Sequence, residues 1–302
     1  MWTPKNILVP TDFSEDANRA ACYAATLSSR FGSDVAFLHI VSVFKRHASY
    51  LRERFPDLEE LYAAAEKDAQ ELIAKQASAA QTAKYRKVVL RGASIPEELL
   101  FYAADHEVDL IIMGTHGRTG IEHMLLGSVA ERLIRNQKRP VMTIKYAFGN
   151  RLVKPDFRRI LVPLDFSKCS ESALEPAAAL AQKFEADVQF VHVVEDIANP
   201  AYLGFGDPSL FNMSPVIRER QIPMMQEVAE KAIPKEIKRD FHILEGRAHT
   251  EIIHFAEKNE VDLIVMSTHG LSGFEHLLLG STTEKVVRKS PIPVLSVNAQ
   301  LM

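Results

Sequence analysis

Val108-Asp109-Leu110-Ile111-Ile112-Met113-Gly114-Thr115-His116-Gly117, followed after nine residues by Gly127-Ser128-Val129-Ala130-Glu131, is the stretch that decides the fold. A run of six mostly apolar residues is too short for a helix and suits a strand buried on both faces, the ordinary condition of a parallel sheet. The chain then leaves the carboxyl end of that strand, where open α/β sheets place their ligands. Gly114 and Gly117 admit backbone conformations closed to other residues and let a ligand approach without a Cβ in the way. Ser128-x-x-Glu131 fits the capping box and marks a helix start. Preceded by Gly127, that start offers free N–H groups and a positive dipole end, which suit phosphate.

The same words return once. Val261 to Glu284 reads Val-Asp-Leu-Ile-Val-Met-Ser-Thr-His-Gly, nine residues, then Gly280-Ser281-Thr282-Thr283-Glu284, so that Met113 maps to Met266, 153 residues on. A single copy of such a loop is commonly no more than a turn and a capped helix; two copies at matching positions point to a duplicated domain. A length of 302 residues agrees with two domains, expected at 1–146 and 157–302 with Tyr146 to Phe157 as the linker.

Composition narrows the class. With 47% hydrophobic and 25% charged residues the chain can bury a full core, which excludes disordered and fibrous classes. A net charge of −3 without a long block of like charge argues against nucleic acid as a partner. The opening Met-Trp-Thr-Pro-Lys-Asn has no charged-then-apolar leader and no apolar run reaches membrane-spanning length, so the expectation is a cytoplasmic protein with no membrane partner. Cys22 and Cys169 do not map onto each other, which suggests neither a disulfide framework nor a metal site.

Working outward, Asn6 to Pro10 reads as a strand and Ser14 as the N-cap of a helix. Ala17, Ala20, Ala21, Ala24, Leu27 and Phe31 form its apolar stripe, which ends at Gly32. Further strands are expected at 34–41, 86–91, 109–113 and 140–145, with helices at 56–81, 96–106 and 128–137. The order β-α, repeated, implies a five-stranded parallel sheet with helices on both faces. The second half restarts with Ile160-Leu161-Val162-Pro163-Leu164-Asp165-Phe166-Ser167. Pro176 falls inside its first helix and predicts a kink or a late start there. Asp196 to Pro215, rich in glycine and proline, reads as a long loop, a lid or an interface.

Three repeated features carry a resemblance to a known family. They are Pro10-Thr11-Asp12-Phe13-Ser14, the His39-Ile40 pair ending the second strand, and Gly114-x2-Gly117-x9-Gly127-Ser128. Together they resemble the universal stress protein family in its tandem form, over nearly the whole chain, and the glycine spacing resembles the signature of its ATP-binding branch. The resemblance implies two Rossmann-like domains of the adenine nucleotide alpha hydrolase-like type, paired through their fifth strands as an intramolecular pseudo-dimer. An apolar sheet edge is a hazard that proteins cover, and a 12-residue linker spans up to about 40 Å.

The implied ligand is ATP, or AMP or ADP. Asp12, with Pro10 and Thr11 beside it, would lie near adenine and ribose, and the Ile40 backbone would contact the base. Met113, Gly114 and Gly117 would line the ribose and phosphate side, with Gly127, Ser128 and Val129 donating to phosphates. Arg118 is placed to neutralise phosphate, although Leu271 replaces it in the second half. The second site would use Asp165, Val193, Gly270, Gly280, Ser281 and Thr282, with Ser267 standing where the signature has its first glycine. If that position needs a left-handed backbone, the first site is the better binder; Ala130 in place of Thr283 argues the other way, since the family often has there a hydroxyl reaching the terminal phosphate. Read by themselves, Asp12 is also an ordinary turn aspartate, and His39 and His192 are core histidines with a satisfied N–H.

Three classes of function stay open: a stress regulator switched by adenine nucleotide, with slow hydrolysis at most; an interaction module with vestigial loops; and an ATP-using enzyme. The last is disfavoured because no Ser-Gly-Gly cradle follows the first strand, and no general base can be nominated. A homodimer of the tandem chain is a further open expectation, and the sequence names no protein partner.

Overall fold

The computed structural model describes residues 2–42, 57–115, 126–136, 138–145, 155–195, 214–269 and 280–298, with the backbone alone at 214–219. The chain divides at Pro155/Asp156 into two compact units.

In the first unit the strands are β1 (Asn6–Pro10), β2 (Asp34–Ser42), β3 (Tyr85–Gly92), β4 (Leu110–Gly114) and β5 (Val141–Ile144). They lie in the order β3-β2-β1-β4-β5, every pair parallel. β1 sits at the centre, with Leu8 opposite Ala36 on one side and Ile111 on the other. Ile7, Leu8, Val9, Leu110, Ile111 and Ile112 are all at or near zero exposure, so the short apolar runs are the sheet's core, covered on both faces. The order reverses between β1 and β4, and the crevice outside their carboxyl ends is where such sheets bind ligands.

Among the described residues, the helices that connect these strands are α1 (Glu15–Phe31), α2 (Leu58–Ala79), α3 (Ile95–Asp105) and α4 (Ser128–Asn136). α1 starts as its sequence dictates. Ser14 is extended at φ −68°, ψ 168°, and its hydroxyl accepts the Ala17 N–H at 3.3 Å, while Glu15 and Asp16 put negative charge on the positive dipole end. It stops at Gly32, left-handed at φ 74°. Four of its six buried residues are alanine, small enough to let its axis come close to the sheet; the others are Asp16 and Leu27.

The second unit repeats this with β6 (Arg159–Pro163), β7 (Asp187–Val194), β8 (Arg239–Glu245), β9 (Leu263–Ser267) and β10 (Val294–Val297), in the order β8-β7-β6-β9-β10, again all parallel. Its helices are α5 (Lys168–Glu171), α6 (Leu174–Phe184), α7 (Ser214–Glu230), α8 (Ala248–Lys258) and α9 (Ser281–Lys289). Pro176 has the expected effect. The helix corresponding to α1 is broken into a single turn, α5, and a late-starting α6 that holds Pro176 in its first turn, where a missing N–H costs no hydrogen bond.

One device common to both units is a staple at the foot of the sheet. The Asp109 carboxylate accepts the backbone N–H groups of Lys5 and Asn6, both at 2.8 Å. Asp262 accepts those of Arg158 and Arg159 at 2.8 and 2.9 Å. The aspartate of the repeated Val-Asp-Leu thus ties the entry of the central strand to its neighbour.

Candidate functional site

The turn from β1 into α1 forms one wall of the crevice. Asp12 accepts the Ser14 N–H at 3.0 Å, the turn aspartate expected from sequence, and Asp165 accepts the Ser167 N–H at 3.0 Å and the Ser167 hydroxyl at 2.6 Å. Between each pair lies a phenylalanine in the left-handed region, Phe13 at φ 65° and Phe166 at φ 62°. A non-glycine residue there costs about 1–2 kcal/mol, and such strain persists only where the surroundings over-determine it. Those surroundings are the core histidines. The Phe13 ring lies 4.8 Å from His39 and that of Phe166 4.5 Å from His192. His39 Nδ1 donates to the Thr11 carbonyl at 2.8 Å and His192 Nδ1 to the Leu164 carbonyl at 2.7 Å. A carbonyl only accepts, so Nδ1 carries the proton in both. The histidines hold the strained turn that aims each aspartate.

The opposite wall is the start of α4. Gly127, not Ser128, is the N-cap: its carbonyl accepts the Glu131 N–H at 2.9 Å, and Gly280 does the same for Glu284. The expected capping box is therefore absent. Glu131 and Glu284 pair instead with Arg135 and Arg288 one turn on, at 3.2 and 2.6 Å. The Gly127 N–H is not available to a phosphate either, because it donates to the Thr115 carbonyl at 2.8 Å, as Gly280 donates to Thr268 at 2.7 Å. A Cβ on Gly280 would lie 3.0 Å from that carbonyl oxygen, which is why glycine stands there. Among the expected donors, Ser128 and Val129 in the first unit, and Ser281 and Thr282 in the second, remain at the helix start, where N–H groups lack intrahelical partners. Ser128 and Ser281 are both exposed.

Gly114 needs a different explanation from the one its spacing suggests. It has no positive φ; a Cβ there would lie 2.5 Å from the Asp16 Cβ and 2.9 Å from the Asp16 carbonyl carbon. The glycine admits the first turn of α1 against the end of β4. The second unit carries Ser267, buried, at the matching place beside the single turn α5. Thr283 also falls short of its expected role, since its buried hydroxyl donates to the Ser267 carbonyl at 2.7 Å.

Between the walls of the first unit lies a cleft of ≈ 250 Å³, near the lower end of small-molecule sites. It brings together Pro10, Thr11, Asp12, Ile40, Met113 and Gly114 with Gly127, Ser128 and Val129, nine of the residues singled out from sequence. Gly117, Arg118 and Gly270 lie outside the described residues, as do residues 196–213 of the long loop. In the second unit Asp165 and Val193 are half-buried at the ends of the corresponding turn and strand. Sequence reasoning missed the apolar lining from Leu38, Ile95 and Leu99. Ile95 and Leu99 stand four apart on one face of α3, and that spacing is the signal the sequence held.

A doubly wound parallel sheet, built twice in one chain with the same strand order, and in the first unit a cleft of apolar and polar residues at its switch point, define a tandem Rossmann-like α/β protein. The model of the universal stress protein family matches residues 3–145 and again 156–298, and the chain belongs to that family. Among its relatives, universal stress protein Slr1230 of Synechocystis sp. is 26% identical over 97% of this chain and 99% of its own. Universal stress protein MJ0531 of Methanocaldococcus jannaschii is 32% identical over 52% of this chain and 93% of its own, one unit's length. A solved universal stress protein from Archaeoglobus fulgidus superposes with a TM-score of 0.66 at 25% identity, covering 97% of this chain and 98% of that one. Among the described residues no helix is long and apolar enough to cross a membrane.

Proposed function

We propose that this protein is a stress-response regulator that binds an adenine nucleotide, ATP or its products ADP and AMP, in the cleft of the first unit. The observation that carries the reading is the pairing, within one cleft, of an apolar wall from Leu38, Ile40 and Leu99 with the carboxylate of Asp12 and the open start of α4. The apolar side takes the base. The carboxylate oxygens of Asp12, an acceptor at the mouth of the turn, take ribose hydroxyls. The N–H groups of Ser128 and Val129, with the helix dipole behind them, take a phosphate. No step of this reading needs a catalytic base, and regulation follows from binding alone if the nucleotide stabilises one conformation or association over another.

The test is direct: the purified protein is denatured and the supernatant assayed for adenine nucleotide, and nucleotide-free protein is titrated calorimetrically with ATP, ADP, AMP and GTP. Retained nucleotide, or adenine-selective binding lost in Asp12→Ala, supports the reading. Neither retained nucleotide nor heat with any of the four leaves the loops as relics in an interaction module. With its hydroxyl spent on the Ser267 carbonyl, Thr283 gives the second unit no advantage over the first, which has Ala130 at that place.

A further inference from the structure

Asp16 is a carboxylate buried to 6% exposure, and nothing in the binding reading uses it. It sits in the first turn of α1, held against β4 by the absence of a Cβ at Gly114. Its Oδ2 accepts the hydroxyl of Thr115, itself 3% exposed, at 3.2 Å. Thr115 is the hinge of the phosphate side. Its N–H donates to the Ile144 carbonyl at 3.0 Å and its carbonyl accepts the Gly127 N–H at 2.8 Å, so the position of Thr115 sets the position of the N-cap of α4.

Resting on the nucleotide-binding reading, we infer that Asp16 is a positioning residue that fixes the phosphate-binding start of α4 through the Thr115 hydroxyl, and that Gly114 is the residue that lets it reach. The second unit lacks the tie. Cys169 occupies the place of Asp16, Ser267 that of Gly114, and the Thr268 hydroxyl is hydrogen-bonded with its neighbour His269 Nδ1 at 2.9 Å. The backbone bond from Gly280 to Thr268 survives at 2.7 Å, but the hinge is no longer anchored to the first helix. Phosphate selectivity therefore belongs to the first unit and one nucleotide binds per chain.

A carboxylate is an unexpected aid to an anion site, and this makes the inference testable by sign. Acting through position, Asp16 supports phosphate binding and its loss weakens it. Acting as a charge through space, it opposes phosphate and its loss strengthens binding. The experiment compares ATP and adenosine affinities in the full chain for wild type, Asp16→Asn, Asp16→Ala, Thr115→Val and Thr115→Ser, with melting temperatures alongside. Asp16→Ala and Thr115→Val should each raise Kd for ATP about tenfold, the value of a hydrogen bond to a charged group, while changing Kd for adenosine by less than about twofold. Asp16→Asn and Thr115→Ser, which keep an acceptor and a hydroxyl, should retain most ATP affinity, and the double variant Asp16→Ala/Thr115→Val should lose no more than either single one. Thr115→Val keeps the shape of the side chain, so the test stands if Asp16→Ala fails to fold. The inference is overturned if the Asp16 variants bind ATP more tightly, if ATP and adenosine weaken in parallel, or if wild type binds two nucleotides of equal affinity. A wild type that binds neither ligand sinks the binding reading itself, which is a distinguishable result.

Discussion

Gly114→Ser tests whether the first glycine of the signature faces the ligand or the fold. A Cβ at this position would meet Asp16 Cβ at 2.5 Å, Asp16 C at 2.9 Å and Ala17 N at 3.0 Å, and the last two are backbone atoms that no rotamer change can move. Ordinary carbon–carbon contact needs about 3.5–4.0 Å, so the first turn of α1 must retreat by roughly 1 Å. Overpacking of this kind costs about 1–3 kcal/mol. For a unit of this size each kcal/mol lowers the melting temperature by about 2–4 °C, which places the expected loss at about 2–12 °C. Scanning calorimetry with and without ATP measures it. The retreat also separates Asp16 from Thr115, so ATP affinity should fall with stability. Full stability with abolished binding would mean that the Cβ projects at the ligand, and the helix-packing argument would be wrong. Ser267→Gly is the control: the second unit already accommodates a Cβ at this place, so no comparable gain in stability is expected.

Three further outcomes are expected. Asp109→Ala and Asp262→Ala each leave two backbone N–H groups at a strand entry without their acceptor and should cost about 1–2 kcal/mol apiece by urea denaturation, with equal effects in the two units. His242, packed 4.8 Å from the Phe255 ring with its Nε2 buried and without a hydrogen-bond partner among the described residues, has its pKa lowered by burial, partly offset by Asp240. A neutral His favoured by the fold contributes stability that is full above its unfolded value of about 6.5 and is lost as pH falls toward the folded one; melting curves from pH 7.5 to 5 should flatten in His242→Phe, and an unchanged slope would refute the assignment. Pairing of the apolar fifth strands, expected from the sequence, is checked by oxidative cross-linking of Thr143→Cys with Ser296→Cys in a chain lacking Cys22 and Cys169, where the absence of a cross-link counts against it.

Much of this protein is local and was legible in its residues. Strand-length apolar runs, the Ser14 cap, the alanine stripe and Gly32 specify β1, α1 and their order without reference to anything distant, and the second occurrence of Val-Asp-Leu-Ile states the duplication outright. Asp12, Ile40 and Ser128, expected from the family resemblance, line the cleft of the first unit, which is built from strand ends and helix starts that are themselves local features. What the sequence left open concerns atoms distant along the chain. Whether Ser128 or Gly127 caps α4 depends on the carbonyl of Thr115, and the purpose of Gly114 depends on Asp16, 98 residues earlier. A spacing of glycines records that the backbone needs room; only the packed structure shows what occupies it, because steric exclusion acts between neighbours in space whatever their separation along the chain.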